Sequence, residues 1–244
     1  MRDQPNLTIV LTQDGALSAP LRERDPQLRQ TLSNSCLLHA VALATNTEPD
    51  RWTLGKDNSN RPVVIGVDGD DHGIKLSLSH SGPFIVGVAG HFDHLGIDLE
   101  VIRERRFSAI GEFLGWPQLI VPNTLLTSNE FYFLWTLWEA SIKATFGVDG
   151  YDYRQVFGEL VQQVCTTPGL VGVGTEWACQ SWENTANNSP GYQMTVVAQS
   201  AVTLEPSLFC IQATGAVSVE VLRLNVDTLQ LDSNRNDMPI DSNR

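Results

Sequence analysis

Two carboxylates two residues apart, Asp98 and Glu100, sit in the run Gly-Ile-Asp-Leu-Glu at residues 96–100. An alternating run of this kind reads as a strand, where positions i and i+2 share a face. Ile97 and Leu99 then turn to the core, and the two acids turn outward together. Adjacent like charges are unfavourable unless something positive neutralises them. A hard divalent cation does this well, because Mg²⁺ takes oxygen ligands and keeps waters that substrate phosphates can displace. An ordinary surface strand with two solvated acids fits the same pattern.

A second pair, Glu139 and Lys143, lies at i, i+4 in a helical pattern and shares one helix face, with Thr136 close to it. Phe131, Trp135, Trp138 and Ile142 form an adjoining apolar stripe, expected to pack into the core. In isolation this is a surface ion pair worth a few tenths of a kcal/mol. Beside Asp98 and Glu100 it would mean more. Glu139 would add a third carboxylate, as metal ligand or general base, and Lys143 a cation for phosphate charge. The third group is Leu-Ser-Leu-Ser-His-Ser-Gly at 76–82. It places His80 after a strand and entering a tight turn, with Ser79 and Ser81 beside it to hydrogen-bond a phosphate. A lone turn histidine is also commonly structural or merely exposed. Adjacent Ser and His rarely face one another, and no G-x-S-x-G elbow occurs. His39, His72, His91 and His94 show no metal-ligand spacing, and no P-loop, Rossmann fingerprint or kinase signature is present. Phosphate binding must then come from scattered residues.

The elements that would position these groups can be read from hydrophobic period. Residues 7–11 read as a first strand, and residues 26–44 as a helix. Residues 55–73 are rich in Gly, Asn and Asp and read as loop with short extended pieces. Strands follow at 76–79, 84–89 and 96–100, the first two joined by the turn Ser81-Gly82-Pro83. Residues 103–106 are a charged connection, 107–115 a helix, and 128–146 the longest helical pattern, capped by Thr127 or Ser128 and ended by Gly147. From 155 to 226 the pattern reads as strands and turns, with a polar loop at 183–191 and a strand from 192. The polar end from residue 227 reads as a disordered tail.

Composition narrows the class. The 244 residues carry a formal net charge of −12, against a nucleic-acid binder, which needs a basic footprint. Hydrophobic residues make up 42% and charged residues 18%, enough for a core and against wholesale disorder. Cys36, Cys165, Cys179 and Cys210 form no C-x-x-C pair and read as buried thiols, which suits a reducing compartment. No apolar stretch reaches membrane-spanning length, and the first residues lack a signal-peptide pattern. The expectation is a cytoplasmic protein with no nucleic-acid or membrane partner.

The three groups occur in one order: Leu-Ser-Leu-Ser-His-Ser-Gly, then Gly-Ile-Asp-Leu-Glu, then Phe-Leu-Trp-Thr-Leu-Trp-Glu-Ala-Ser-Ile-Lys-Ala-Thr-Phe-Gly. This ordered trio resembles the 4′-phosphopantetheinyl transferases of the long, single-chain type, over residues from about 32 to 198. That family shows a Ser-His-Ser-Gly turn, a Gly-(Ile/Val)-Asp-x-Glu strand and a Trp-(Ser/Thr)-x-Lys-Glu-(Ala/Ser)-x-x-Lys helix. Arg61-Pro62 stands where the family has Gly-Lys-Pro, and Ser35 where a helix-start Arg-Thr or Arg-Ser binds the coenzyme A nucleotide. The run 190–198 looks like the family's last core strand. One departure is Trp138, which replaces the lysine before the glutamate; on a helix it lies about 100° from Glu139.

The resemblance implies an α+β fold of two similar halves forming a pseudo-dimer, 1–102 and 103–226, with the site between them and a single subunit as the working form. It implies transfer of the 4′-phosphopantetheine arm of coenzyme A to a serine of an apo acyl or peptidyl carrier protein. Asp98, Glu100 and Glu139 would hold Mg²⁺, and Glu139 would take the serine proton. Lys143 would sit on the diphosphate. His80, Ser79, Ser35 and Arg61 would hold the nucleotide phosphates. An acidic carrier would need a local basic surface, for which Arg22, Arg24, Arg29, Arg103, Arg105 and Arg106 are candidates. The alternatives are a relative that binds carrier or coenzyme A without transfer, and a different Mg²⁺ enzyme such as a phosphohydrolase.

Overall fold

Leu7, Ile9 and Leu11 alternate with Thr8, Val10 and Thr12 along strand β1 (Leu7–Gln13), and all six are buried. A strand apolar on both faces belongs in the middle of a sheet, and β1 lies there. In the computed structural model, residues 7–13, 26–70, 72–104, 107, 110, 114, 127–146, 150–166, 171–173, 176–184, 191–200, 204, 206–213 and 219–224 are described. β1 pairs antiparallel with β5 (Phe84–Gly90) and parallel with β10 (Pro206–Ala213). β4 (Lys75–Ser81) and β11 (Val219–Leu224) complete the order β11-β10-β1-β5-β4. A hairpin of β2 (Trp52–Lys56) and β3 (Pro62–Gly66) stands apart from this sheet. Helix α1 (Pro26–Thr45) covers one sheet face. Its Cys36, Leu37, Ala40, Val41 and Ala44 pack on Val10, Leu76, Ile85 and Ala89.

The second sheet has the order β6-β9-β8-β7, from β6 (Leu95–Val101), β7 (Val171–Val173), β8 (Trp177–Asn184) and β9 (Tyr192–Gln199). Its inner face, with Ile97, Leu99, Met194 and Val196, meets Leu7, Ile9, Phe84 and Val86 of the first sheet in one core. Helix α2 (Ser128–Thr145) lies on its outer face, and α3 (Tyr153–Thr166) packs on α2. The architecture is α+β, with two sheets face to face and a helix layer outside each. The sheets do not follow a division at residue 102. β6 pairs with β9, and β10 returns to pair with β1.

Several elements match their sequence patterns: β1, α1, β4, β5, β6, α2 and β9. Thr127 is the cap of α2, its hydroxyl accepting from the Glu130 amide while the Glu130 carboxylate accepts from the Thr127 amide, a reciprocal capping box. Other features correct the expectations. Residues 153–166 are helical rather than strand and turn. Val156, Phe157, Leu160 and Val161 carry the buried face, and Asp152 Oδ1 accepts from the Arg154 amide at 2.9 Å. Residues 55–73 do carry short extended pieces, the end of β2 and all of β3, whereas β8 runs to Asn184 into the expected loop. His80 is inside β4, not beyond it. The buried side of α2 is Phe131, Leu134, Leu137, Ala140 and Ala144, while Trp135, Trp138 and Ile142 are only partly covered. Cys36 and Cys179 are buried thiols. Most of 107–115, the connection at 116–126, residues 185–190, Gly147 and the end from 225 lie outside the described residues.

Candidate active site

The register of β4 on β5 decides which way the Ser-His-Ser-Gly run points. Ser77, Ser79 and Ser81 pair with Val88, Val86 and Phe84, so they share the face turned to the second sheet. Leu76, Leu78 and His80 share the face turned to α1. β6 places Ile97 and Leu99 in the core as expected, but Asp98 does not face water. It is 4% exposed and is enclosed by β4 and α2. The Ser79 hydroxyl donates to Asp98 Oδ1 at 2.7 Å, and the Ser81 hydroxyl donates to Glu100 Oε2 at 2.8 Å.

α2 brings the other half of the cluster. Gly96 allows this approach. A Cβ there would collide with the Ala140 carbonyl oxygen and stand 2.6 Å from the Ala144 amide nitrogen. With the helix so close, Lys143 Nζ reaches across to Asp98 Oδ1 at 2.7 Å and to the Ile97 carbonyl at 3.0 Å. Lys143 therefore pairs with Asp98 on another element, not with Glu139 one turn before it. Thr136 is fully buried and bonds Thr195 across the interface at 2.7 Å.

Glu139 is half-buried on the same side of α2. Burial raises its pKa, the negative charges of Asp98 and Glu100 push it further the same way, and Lys143 opposes them. Three carboxylates thus feel one another beside one ammonium. Asp98 Oδ2 is buried with no hydrogen-bond partner among the described residues. A buried carboxylate oxygen without a partner is costly. Among the described residues, no three His, Cys, Asp or Glu side chains already converge as a metal cage. The donor set nonetheless fits a hard cation: oxygens only, an orphaned buried oxygen, and excess negative charge.

Beside this cluster opens a cleft of about 420 Å³, lined by Ile142 and Lys143 of α2, by Phe146 just past its end, and by the β2–β3 hairpin. Arg61 lies in it with Lys56, and Gln30 and Asn34 of α1 line its side. Arg61 Nη1 donates to the Phe146 carbonyl at 2.9 Å, joining hairpin to α2 at the rim. Among the described residues the cleft has three cationic side chains, Lys56, Arg61 and Lys143, on a partly apolar bed.

The structure brings together Asp98, Glu100, Glu139, Lys143 and Ser79, and puts Arg61 in the cleft that Lys143 also lines. Ser79 turns its hydroxyl to Asp98 rather than into the cleft. His80 is exposed on the other face of β4. Close protein atoms first, then the charges of Arg29 and Lys143, hold its pKa below the ordinary histidine value, so the ring is neutral at pH 7. Ser35 does not line the cleft; its hydroxyl stands 3.4 Å from His39 Nδ1. Gln30 and Asn34, one turn apart and bonded to each other at 2.7 Å, take that place on α1. Their signal was their common face with Leu37. Trp138 turns away from the carboxylates and meets the rings of Tyr153 and Phe157 edge-on, each at 5.0 Å. Of the candidate docking arginines, Arg29 and Arg103 are described and Arg22, Arg24, Arg105 and Arg106 lie outside the described residues. No helix among the described residues is long and apolar enough to cross a membrane. No protein-family model matches the chain, and no curated protein matches it either.

Proposed function

We propose that the chain is a Mg²⁺-dependent 4′-phosphopantetheinyl transferase acting in the cytoplasm as a single subunit. It moves the phosphopantetheine arm of coenzyme A to a serine of an apo acyl or peptidyl carrier protein. The observation that carries this reading is the juxtaposition of Asp98, Glu139 and Lys143, with an orphaned carboxylate oxygen, beside a cleft that also holds Arg61 and Lys56. The outer helices α1 and α2, one on each sheet, support the pseudo-dimeric form of the fold.

In this reading Asp98, Glu100 and Glu139 hold Mg²⁺, which when bound neutralises charge on the diphosphate. Lys143, Lys56 and Arg61 bind and orient the phosphates of coenzyme A. The carrier serine oxygen forms a bond to the phosphorus nearer the pantetheine arm. The bond from that phosphorus to the bridging oxygen breaks, and adenosine 3′,5′-bisphosphate leaves. Glu139 takes the serine proton, a task suited by a carboxylate whose pKa environment raises its basicity.

The test is release of adenosine 3′,5′-bisphosphate from coenzyme A, followed by chromatography with and without apo carrier. D98A and E139Q should each lower carrier-dependent release by at least about a hundredfold, the scale of a lost general base. Release that persists in both variants rejects the assignment. Release without carrier would point instead to a phosphohydrolase.

A further inference from the structure

Strands β4 and β6 are the facing edges of two separate sheets, with no backbone ladder between them. An open strand edge leaves amides without partners. Here alternate serines of β4 fill the gap. The Ser77 hydroxyl accepts from the Ile97 amide at 3.1 Å, and the Ser81 hydroxyl accepts from the Val101 amide at 3.1 Å. A serine has one hydroxyl proton to give. Ser81 gives its proton to Glu100, and Ser79 gives its proton to Asp98.

We propose that Ser79 and Ser81 are positioning residues that set the carboxylates of Asp98 and Glu100 for a divalent cation. The inference rests on the reading that these two acids hold Mg²⁺. Its geometry is most direct at Asp98. Ser79 and Lys143 both donate to Oδ1, each at 2.7 Å, and Oδ2 is left buried with no partner among the described residues. Ser79 thereby selects which oxygen is offered. It is itself 7% exposed, so its hydroxyl is not dissipated on bulk water. Without it, Lys143 alone holds the carboxylate and either oxygen can turn to the ammonium. Groups that orient metal ligands in this way typically govern metal affinity as well as activity.

The experiment is Mn²⁺ binding to the purified full chain, followed by electron paramagnetic resonance, with no coenzyme A or carrier present. Wild type should bind Mn²⁺ and D98N should lose it. S79A and S81A should weaken binding about ten- to hundredfold. S79C, which keeps the volume but is a weak donor, should fall between S79A and wild type, and S79T should restore binding. S77A cuts a bond to the β6 backbone without touching a carboxylate and should bind as wild type. Thermal denaturation checks that each variant is folded; should S79A unfold, S79C decides. S79A and S79C binding as wild type would overturn the proposal and leave the metal reading standing. S77A weakening binding as much as S79A would also overturn it, because the seam as a whole would then be responsible. A wild-type chain that binds no Mn²⁺ would overturn both the proposal and the metal reading.

Discussion

At the scale of the residue, Glu139 is the most informative group. Its proton is held more tightly than an ordinary glutamate's by burial and by Asp98 and Glu100. Below the ordinary value of about 4.3 the native and unfolded chains are both protonated and the site costs nothing. As pH rises through the interval above that value, the unfolded chain gives up its proton first. Stability therefore falls with pH across the interval, and the full penalty remains above the raised native value. In metal-free protein, E139Q should thus be more stable than wild type at pH 7.5. The two melting curves should converge near pH 4. Equal melting temperatures at pH 7.5 would mean that the acids do not strain one another. Asp98, Glu100, Glu139 and Lys143 were legible in the sequence because each pair lies within one element, where spacing alone sets a common face. That Lys143 pairs with Asp98, and that Ser79 serves Asp98, was not legible. Those contacts join residues 45 and 19 positions apart and depend on how the elements pack.

At the scale of the element, two close approaches hold the cluster. Gly96 lets α2 lie directly on β6. G96A should push the helix away, destabilise the fold by about 1–3 kcal/mol, and weaken Mn²⁺ binding in the protein that remains folded. Urea denaturation and metal titration of the same sample check this; a neutral G96A would mean that α2 has room to spare. The second approach is α2 on α3. Trp138 stands where a lysine occurs in the family that the motifs resemble, and its ring lies against Tyr153 and Phe157. W138K should lower stability by about 1–3 kcal/mol through lost packing, and should leave Mn²⁺ affinity unchanged. A gain in metal affinity would place that position at the site instead. Helix α3 was readable in principle from the i, i+1, i+4, i+5 pattern at Val156, Phe157, Leu160 and Val161. The β-branched and glycine-containing composition of the surrounding chain masked it. The capping box of α2 was readable because Thr127 and Glu130 are local partners.

At the scale of the whole molecule, the proposed function depends on a seam between sheets. β4 and β6 come from neighbouring parts of the chain yet belong to different sheets, and α2 arrives from the far side of the connection. The cleft needs β4, α2 and α1 plus the β2–β3 hairpin, whose Arg61 reaches the end of α2. Strand periods marked β1, β4, β5, β6 and β9 but neither the remaining strands one by one nor the order within each sheet. The parallel return of β10 to β1 follows from no local pattern. The negative total charge was legible, and so was the need for local cations; Lys56 and Arg61 became a cleft wall only in three dimensions. The most direct measurement is intact-mass spectrometry of a panel of apo carrier proteins after incubation with the full chain, coenzyme A and Mg²⁺, with an EDTA control. The expected result is a mass gain of one phosphopantetheine arm on at least one carrier, lost with EDTA and lost in E139Q. No gain on any fatty-acid, polyketide or peptide carrier, from a folded chain with Mg²⁺ present, would contradict transfer.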